Sequence, residues 1–102
     1  MNDKAANQSN PDSATKRFDL GHVVITPHAQ ERLVSADVSN ALRRHARGDW
    51  GDCSADDKAE NEYAVDKHLR LFSVYHDSNG TKFWIITEAD RSVTTILLPE
   101  DY

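Results

Sequence analysis

The sequence predicts an α+β domain: a short N-terminal strand, two helices, a third short acidic helix, and then a three-stranded antiparallel meander packed on the helices. Three observations carry this expectation. Residues 69–99 are the most apolar and β-branched part of a mostly polar chain, and they contain two turn signals. Residues 27–47 place apolar side chains at helical spacing. The 102-residue length and 38% hydrophobic content allow one modest core and therefore one domain.

Residues 1–17 are rich in Asn, Asp, Ser, Ala and Lys with no apolar period, and are expected to form a disordered tail ahead of a single domain at 18–102. His22-Val-Val-Ile-Thr26 reads as a short strand. Thr26-Pro27 reads as a helix start, Thr26 capping and Pro27 sitting where a missing N–H costs nothing. Ala29, Leu33 and Ala36 share one face of a helix expected to run to about residue 35. Asp37 offers a fresh cap, and Val38, Ala41, Leu42 and His45 continue a helical stripe that ends before Gly48. In residues 48–54, glycines flank Trp50, which is expected to fold back as a plug on the core. Ser54 with Asp57 predicts the cap of an acidic surface helix over 55–67, with Ala59, Tyr63 and either Ala64 or Val65 as its thin apolar stripe.

Asn79-Gly80 predicts a two-residue hairpin turn. That register sets Tyr75 opposite Trp84, Val74 opposite Ile85 and Ser73 opposite Ile86. A second turn at 89–92 sets Glu88 opposite Val93, Ile86 opposite Thr95 and Trp84 opposite Leu97. One face of the sheet then carries Phe72, Val74, Phe83, Ile85, Ile96 and Leu98 and is expected to meet the helices. The other carries Leu71, Ser73, Tyr75, Trp84, Ile86, Glu88, Val93, Thr95 and Leu97. Its mixture of aromatic, hydroxyl and carboxylate groups makes it the place to seek function, whether it is covered by the chain's own loop, a second protein or a small ligand.

The net charge is −5, and the remainder after residue 17 carries −6, which opposes general nucleic-acid binding. The clustered cations Arg43, Arg44 and Arg47 complement a helix C-terminus, or meet a phosphate or an acidic partner. There is no apolar run near 18 residues and only one cysteine, Cys53, so a cytoplasmic protein without a membrane span is expected, as are no metal and no cofactor. If the chain cleaves RNA, Glu88 would act as base, with Arg91, Tyr75 and His45 supplying charge and proton transfer. Trp84, Thr95, Ser73, Arg44 and Trp50 are the accompanying binding candidates.

Three stretches, Arg44-His-Ala-Arg-Gly-Asp-Trp-Gly-Asp52, Leu71-Phe-Ser-Val-Tyr75 and Trp84-Ile-Ile-Thr-Glu-Ala-Asp-Arg-Ser-Val-Thr-Thr-Ile-Leu-Leu-Pro-Glu-Asp-Tyr102, resemble small uncharacterised proteins of proteobacterial plasmids, phages and integrative elements. The resemblance implies a mobile-element accessory protein. More distantly, Thr26-Pro-His-Ala-Gln-Glu-Arg32 and the order of elements resemble the RelE toxin, barnase and colicin nuclease fold, which implies a site on the open face of the sheet. The expectation drawn from both is a non-catalytic protein-binding module, working through a partner or a homodimer on the Tyr75/Trp84 face. A ribonuclease-type toxin of a toxin–antitoxin pair, with RNA as substrate, is the alternative, and a DNA mimic using the acidic side chains ranks last.

Overall fold

The computed structural model describes residues 16–102, so the tail expected over 1–15 lies outside the described residues. The elements are β1 (His22–Ile25), α1 (Pro27–Arg32), α2 (Ser35–Ala46), α3 (Ala55–Lys67), β2 (Leu71–His76), β3 (Lys82–Thr87) and β4 (Val93–Leu97), closed by a 3-10 turn at Pro99–Asp101. Their order matches the expected one. The sheet does not: among the described residues it has four strands in the order β1-β4-β3-β2, with β1 parallel to β4. The meander is therefore one part of a mixed sheet. A returning parallel strand has no turn of its own to announce its pairing, so the sequence shows only that the strand exists.

The turn between β3 and β4 gives the expected register, with Trp84 opposite Leu97 and Ile86 opposite Thr95. The β2–β3 register is shifted by one: Tyr75 lies opposite Phe83, and Val74 opposite Trp84. Here the loop is three residues long, bracketed by Asp77 and Thr81. The Asp77 N–H donates to Thr81 O at 3.0 Å, and the Gly80 N–H donates to Asp77 O at 2.8 Å. Gly80 takes a left-handed φ of 83°, as a type I turn followed by a bulge requires. The Asp77 carboxylate selects this loop by accepting from Asn79 N at 3.0 Å and Thr81 N at 2.9 Å.

A one-residue shift moves every side chain of β2 to the other face. Leu71, Ser73 and Tyr75 join Phe83, Ile85, Thr87, Thr94, Ile96 and Leu98, all buried beneath the helices. The main core forms where Ala29, Leu33 and Ala41 meet Tyr75, Phe83, Ile85, Ile96 and Leu98. Phe72 and Val74 go to the open face with Trp84 and Ile86.

Thr26 and Pro27 start α1 as expected. Thr26 Oγ1 accepts from Ala29 N at 3.1 Å and donates to Asp101 at 2.7 Å, while His28 Nδ1 meets the other Asp101 oxygen at 3.0 Å. The cap thus also fastens the C-terminal turn. Thr26→Ala should cost roughly 1–2 kcal/mol in urea unfolding, and Thr26→Ser much less. α1 ends at Arg32, earlier than expected, and α2 starts at Ser35 without a side-chain cap. The Val34 N–H donates to Asp77 instead, at 3.2 Å, and Asp37 accepts from Ser78 N at 2.8 Å, so both carboxylates dock the hairpin on the helices. Ala36 is exposed, and Gly48 follows α2 with φ 84° as foreseen.

Ser54 caps α3, accepting from Asp57 N at 3.1 Å. The inward face of α3 is Asn61 and Ala64 with Val65 beside them, whereas Ala59 and Tyr63 are exposed. Asn61 turns inward because its amide imitates a strand: it accepts from Phe72 N at 3.1 Å and donates to Phe72 O at 2.6 Å. Next to it, Val74 N donates to Trp50 O at 3.2 Å and Asp52 N donates to Val74 O at 2.7 Å. Gly51 lies between, with φ 72°, and any Cβ there would clash with the Val74 carbonyl oxygen. The outer edge of β2 is closed by these contacts. Arg17, placed in the tail by composition, belongs to the fold: its N–H donates to Ala46 O at 2.8 Å and its guanidinium holds both oxygens of Glu62 at 2.9 Å.

Candidate functional site

Of the four side chains expected to cooperate in catalysis, His45 and Arg91 both lie against Phe18, with the His45 ring centroid at 5.2 Å and the Arg91 guanidinium carbon at 5.7 Å from its ring, whereas Glu88 is on the opposite face of the sheet from Tyr75. His45, from the last turn of α2, is fully buried between Phe18 and Trp50, with ring centroids at 5.2 and 5.7 Å. Its Nδ1 lies 2.5 Å from Ser73 Oγ and its Nε2 lies 2.9 Å from Thr87 Oγ1. Thr87 Oγ1 lies 2.7 Å from Thr94 Oγ1, and the Thr94 hydroxyl donates to Leu20 O at 2.7 Å. The carbonyl end sets the direction of the whole chain. Thr94 spends its proton on Leu20, so Thr87 donates to Thr94 and must accept from His45 Nε2–H. Nδ1 is then the acceptor, and Ser73 donates to it. Burial, aided by the Arg91 charge, lowers the His45 pKa to about 3. His45 is a neutral structural link, and the buried Ser73 beside it cannot reach a substrate.

Tyr75 is also interior. Its ring lies under Arg44, whose guanidinium carbon is 4.8 Å from the ring centroid, and its hydroxyl donates to Asp49 O. Burial pushes its pKa above the usual tyrosine range. Arg91, at φ 62°, spends its guanidinium on backbone carbonyls: Leu69 O at 2.7 Å, Ala64 O at 2.9 Å, Ala89 O at 3.1 Å and Glu88 O at 3.2 Å. Glu88 lies on the opposite face of the sheet from Tyr75 and pairs with Arg70 at 3.4 Å. Among the described residues Tyr75 borders a groove beside Arg44, Arg91 borders another beside Phe18 and Asp66, and neither groove is lined by Glu88 or His45. Trp50 is a plug, as foreseen, and is buried with its indole N–H donating to Glu62 at 2.9 Å, so it offers no binding surface.

Arg44 lines a groove of about 510 Å³ with Arg43, Arg47, Asn40 and His76. Carboxylates accompany the cations. Asp49 takes Arg44 at 2.7 Å, which holds the Asp49 carboxyl below the usual range, and Asp52 meets His76 at 2.8 Å. Asp37 completes the lining. The groove therefore offers mixed charge, a weak attractor for a polyphosphate.

The open face of the sheet is different. Val24, Val74, Phe72, Trp84, Ile86, Val93 and Leu97 point to it from all four strands, with Thr95 among them. The rings of Phe72 and Trp84 meet edge to face at 5.1 Å, and Trp84 meets Tyr102 at 5.8 Å. Arg70 donates to the Tyr102 hydroxyl at 3.0 Å, fixing the end of the chain over the sheet. Helices α1 and α2 contribute their core residues to the other face, whereas Phe72 and Val74 also pack against the cluster of Phe18, Trp50, Cys53, Ala64 and Leu71, and Ile86 and Leu97 are buried. Trp84 and Thr95 lie where expected. Phe72, Val74, Arg70 and Tyr102 were missed, the first two because of the shifted register. Thr87 and Thr94 were also missed as partners of His45, although their registry across the turn was readable. No family model matches this chain, and no curated protein or solved structure is significantly similar to it.

Proposed function

We propose that this chain is a non-catalytic protein-binding module, an accessory of a mobile genetic element, that holds an apolar strip of a protein partner on its open sheet face. One observation carries the reading: seven apolar side chains from four strands share the face opposite the main core, where Val24 is exposed, Phe72, Val74, Trp84 and Val93 are half-buried, and Ile86 and Leu97 are buried among them. A solvated face of a sheet normally alternates polar side chains with those of the core, and apolar and aromatic side chains grouped and left partly exposed on such a face mark an interaction site. Arg70 and Glu88 at one end, and Lys82 and His76 at the other, give the patch a polar rim. The ribonuclease alternative gains no support from the positions of Glu88, Arg91, Tyr75 and His45.

The test is site-specific photocrosslinking in cells that also express the reading frames flanking the gene. A photoreactive residue at Thr95 is expected to give one discrete protein adduct that Trp84→Ala weakens at least tenfold, about 1.4 kcal/mol. The same residue at the exposed Glu60 should give none. No adduct at position 95, or equal adducts at both positions, would reject the reading.

A further inference from the structure

The two edges of the sheet are treated differently. The edge of β2 is closed by the Asn61 amide and by residues 50–52. Among the described residues, no segment pairs with the outer edge of β1. His22 N donates to Ser92 O at 2.8 Å and Thr26 N to Ile96 O at 3.0 Å. In a parallel pair, alternate residues turn both backbone groups toward the same neighbour. His22, Val24 and Thr26 therefore face β4, and Val23 and Ile25 turn their N–H and C=O groups outward. No hydrogen bond to these four groups is found among the described residues. Val23 and Val24 are 40% and 37% exposed. The strand lacks the lysine, internal proline or bulge that ordinarily blunts an edge.

We propose that β1 pairs antiparallel with β1 of a second copy of this chain, joining two four-stranded sheets into one of eight strands. Charge selects this occupant. The domain carries −6, yet residues 20–27 contain no Asp, Glu, Lys or Arg, so two copies can meet here without opposing like charges. A charged partner would gain nothing from this edge.

Register supports the same occupant. A twofold axis at Val24 places Val23 opposite Ile25 of the other copy, so the outward groups of one strand match those of its mate in four N–H···O=C bonds. The next outward pair would join Gly21 to Pro27, which has no N–H, and the ladder stops there. Val24 meets its own copy at a non-hydrogen-bonded position, with Cα atoms about 4.5 Å apart. It lies on the same face as Thr95, so the two open faces continue into each other. Four bonds and a short strand make this a small interface, with association in the micromolar range or weaker.

The test uses the full chain. Light scattering over a concentration series is expected to show a monomer–dimer equilibrium. Val24→Cys should oxidise to a linked dimer. Val23→Cys should not, because its Cα would lie beyond about 7 Å from its mate, and wild type should not, because Cys53 is buried. Val23→Lys should shift the equilibrium to monomer with an unchanged thermal melt. A monomer up to about 1 mM, near −4 kcal/mol of association, would overturn the proposal. So would a dimer that survives Val23→Lys, or one lost in Trp84→Ala while Val24→Cys stays unlinked, which would place the contact on the open face.

Discussion

Replacing His45 with alanine is expected to lower the unfolding free energy by about 3–5 kcal/mol, combining a buried cavity with a Ser73 hydroxyl that loses its acceptor and a Thr87 oxygen that loses its donor. The same variant should lose a distinctive pH dependence. In the folded chain His45 has a pKa of about 3, against an ordinary 6.5 when unfolded. Between these values the unfolded state binds a proton that the folded state refuses. Stability is therefore complete above about pH 6.5 and falls as the pH drops toward 3. The loss approaches 1.4 kcal/mol per pH unit, or about 2 kcal/mol at pH 5. Asp49 and Glu62, held low by Arg44 and by Arg17, add their own losses only further into the acid range. Urea midpoints at pH 7.5 and pH 5 separate the two effects: wild type should drop steeply across this interval, and His45→Ala should change little. A wild-type midpoint that stays level would refute the neutral buried link.

The second large effect is expected at Arg91. Arg91→Met should cost about 2–4 kcal/mol, because four backbone carbonyls lose a charged donor and two of them, Ala64 O and Leu69 O, belong to the end of α3 and the approach to β2. For a domain of this size that corresponds to a fall of about 10–25 °C in Tm. Arg91→Lys should recover little, since an ammonium cannot span the same acceptors. Arg91→Gly relieves the left-handed φ but still loses the donors, so it should melt only slightly above Arg91→Met. An Arg91→Met chain that melts like wild type would show that the guanidinium is not the clamp.

These two residues also show where reading the sequence stops. Both were singled out, and both matter, but as internal supports. A histidine on an apolar helical stripe and an arginine in a turn look the same whether they meet a substrate or the protein's own polar groups. Only the three-dimensional position of Ser73, Thr87 and Ala64 distinguishes the two cases. The open face shows the same boundary. Trp84, Ile86, Thr95 and Leu97 were placed on it correctly because the 89–92 turn closes where expected. Tyr75 and Ser73 were placed there wrongly because the Asp77 carboxylate favours a three-residue loop over the Asn79-Gly80 two-residue turn.

The sequence by itself determined what local chemistry can determine: Thr26 and Pro27 starting α1, Ser54 capping α3, Gly48 ending α2, Trp50 folding inward, and the order of all the elements. These depend on φ preferences and on hydrogen bonds between residues a few positions apart. The tertiary structure alone decided that β1 lies beside β4, that Asn61 seals the edge of β2, and which side of β2 faces water. The first two of those choices pair groups distant along the chain, 11 positions apart for Asn61 and Phe72 and 70 (96 − 26) for Thr26 and Ile96, and no local preference specifies such a partner. In β2 a single added loop residue was enough to exchange the two faces, because side chains alternate with a period of two.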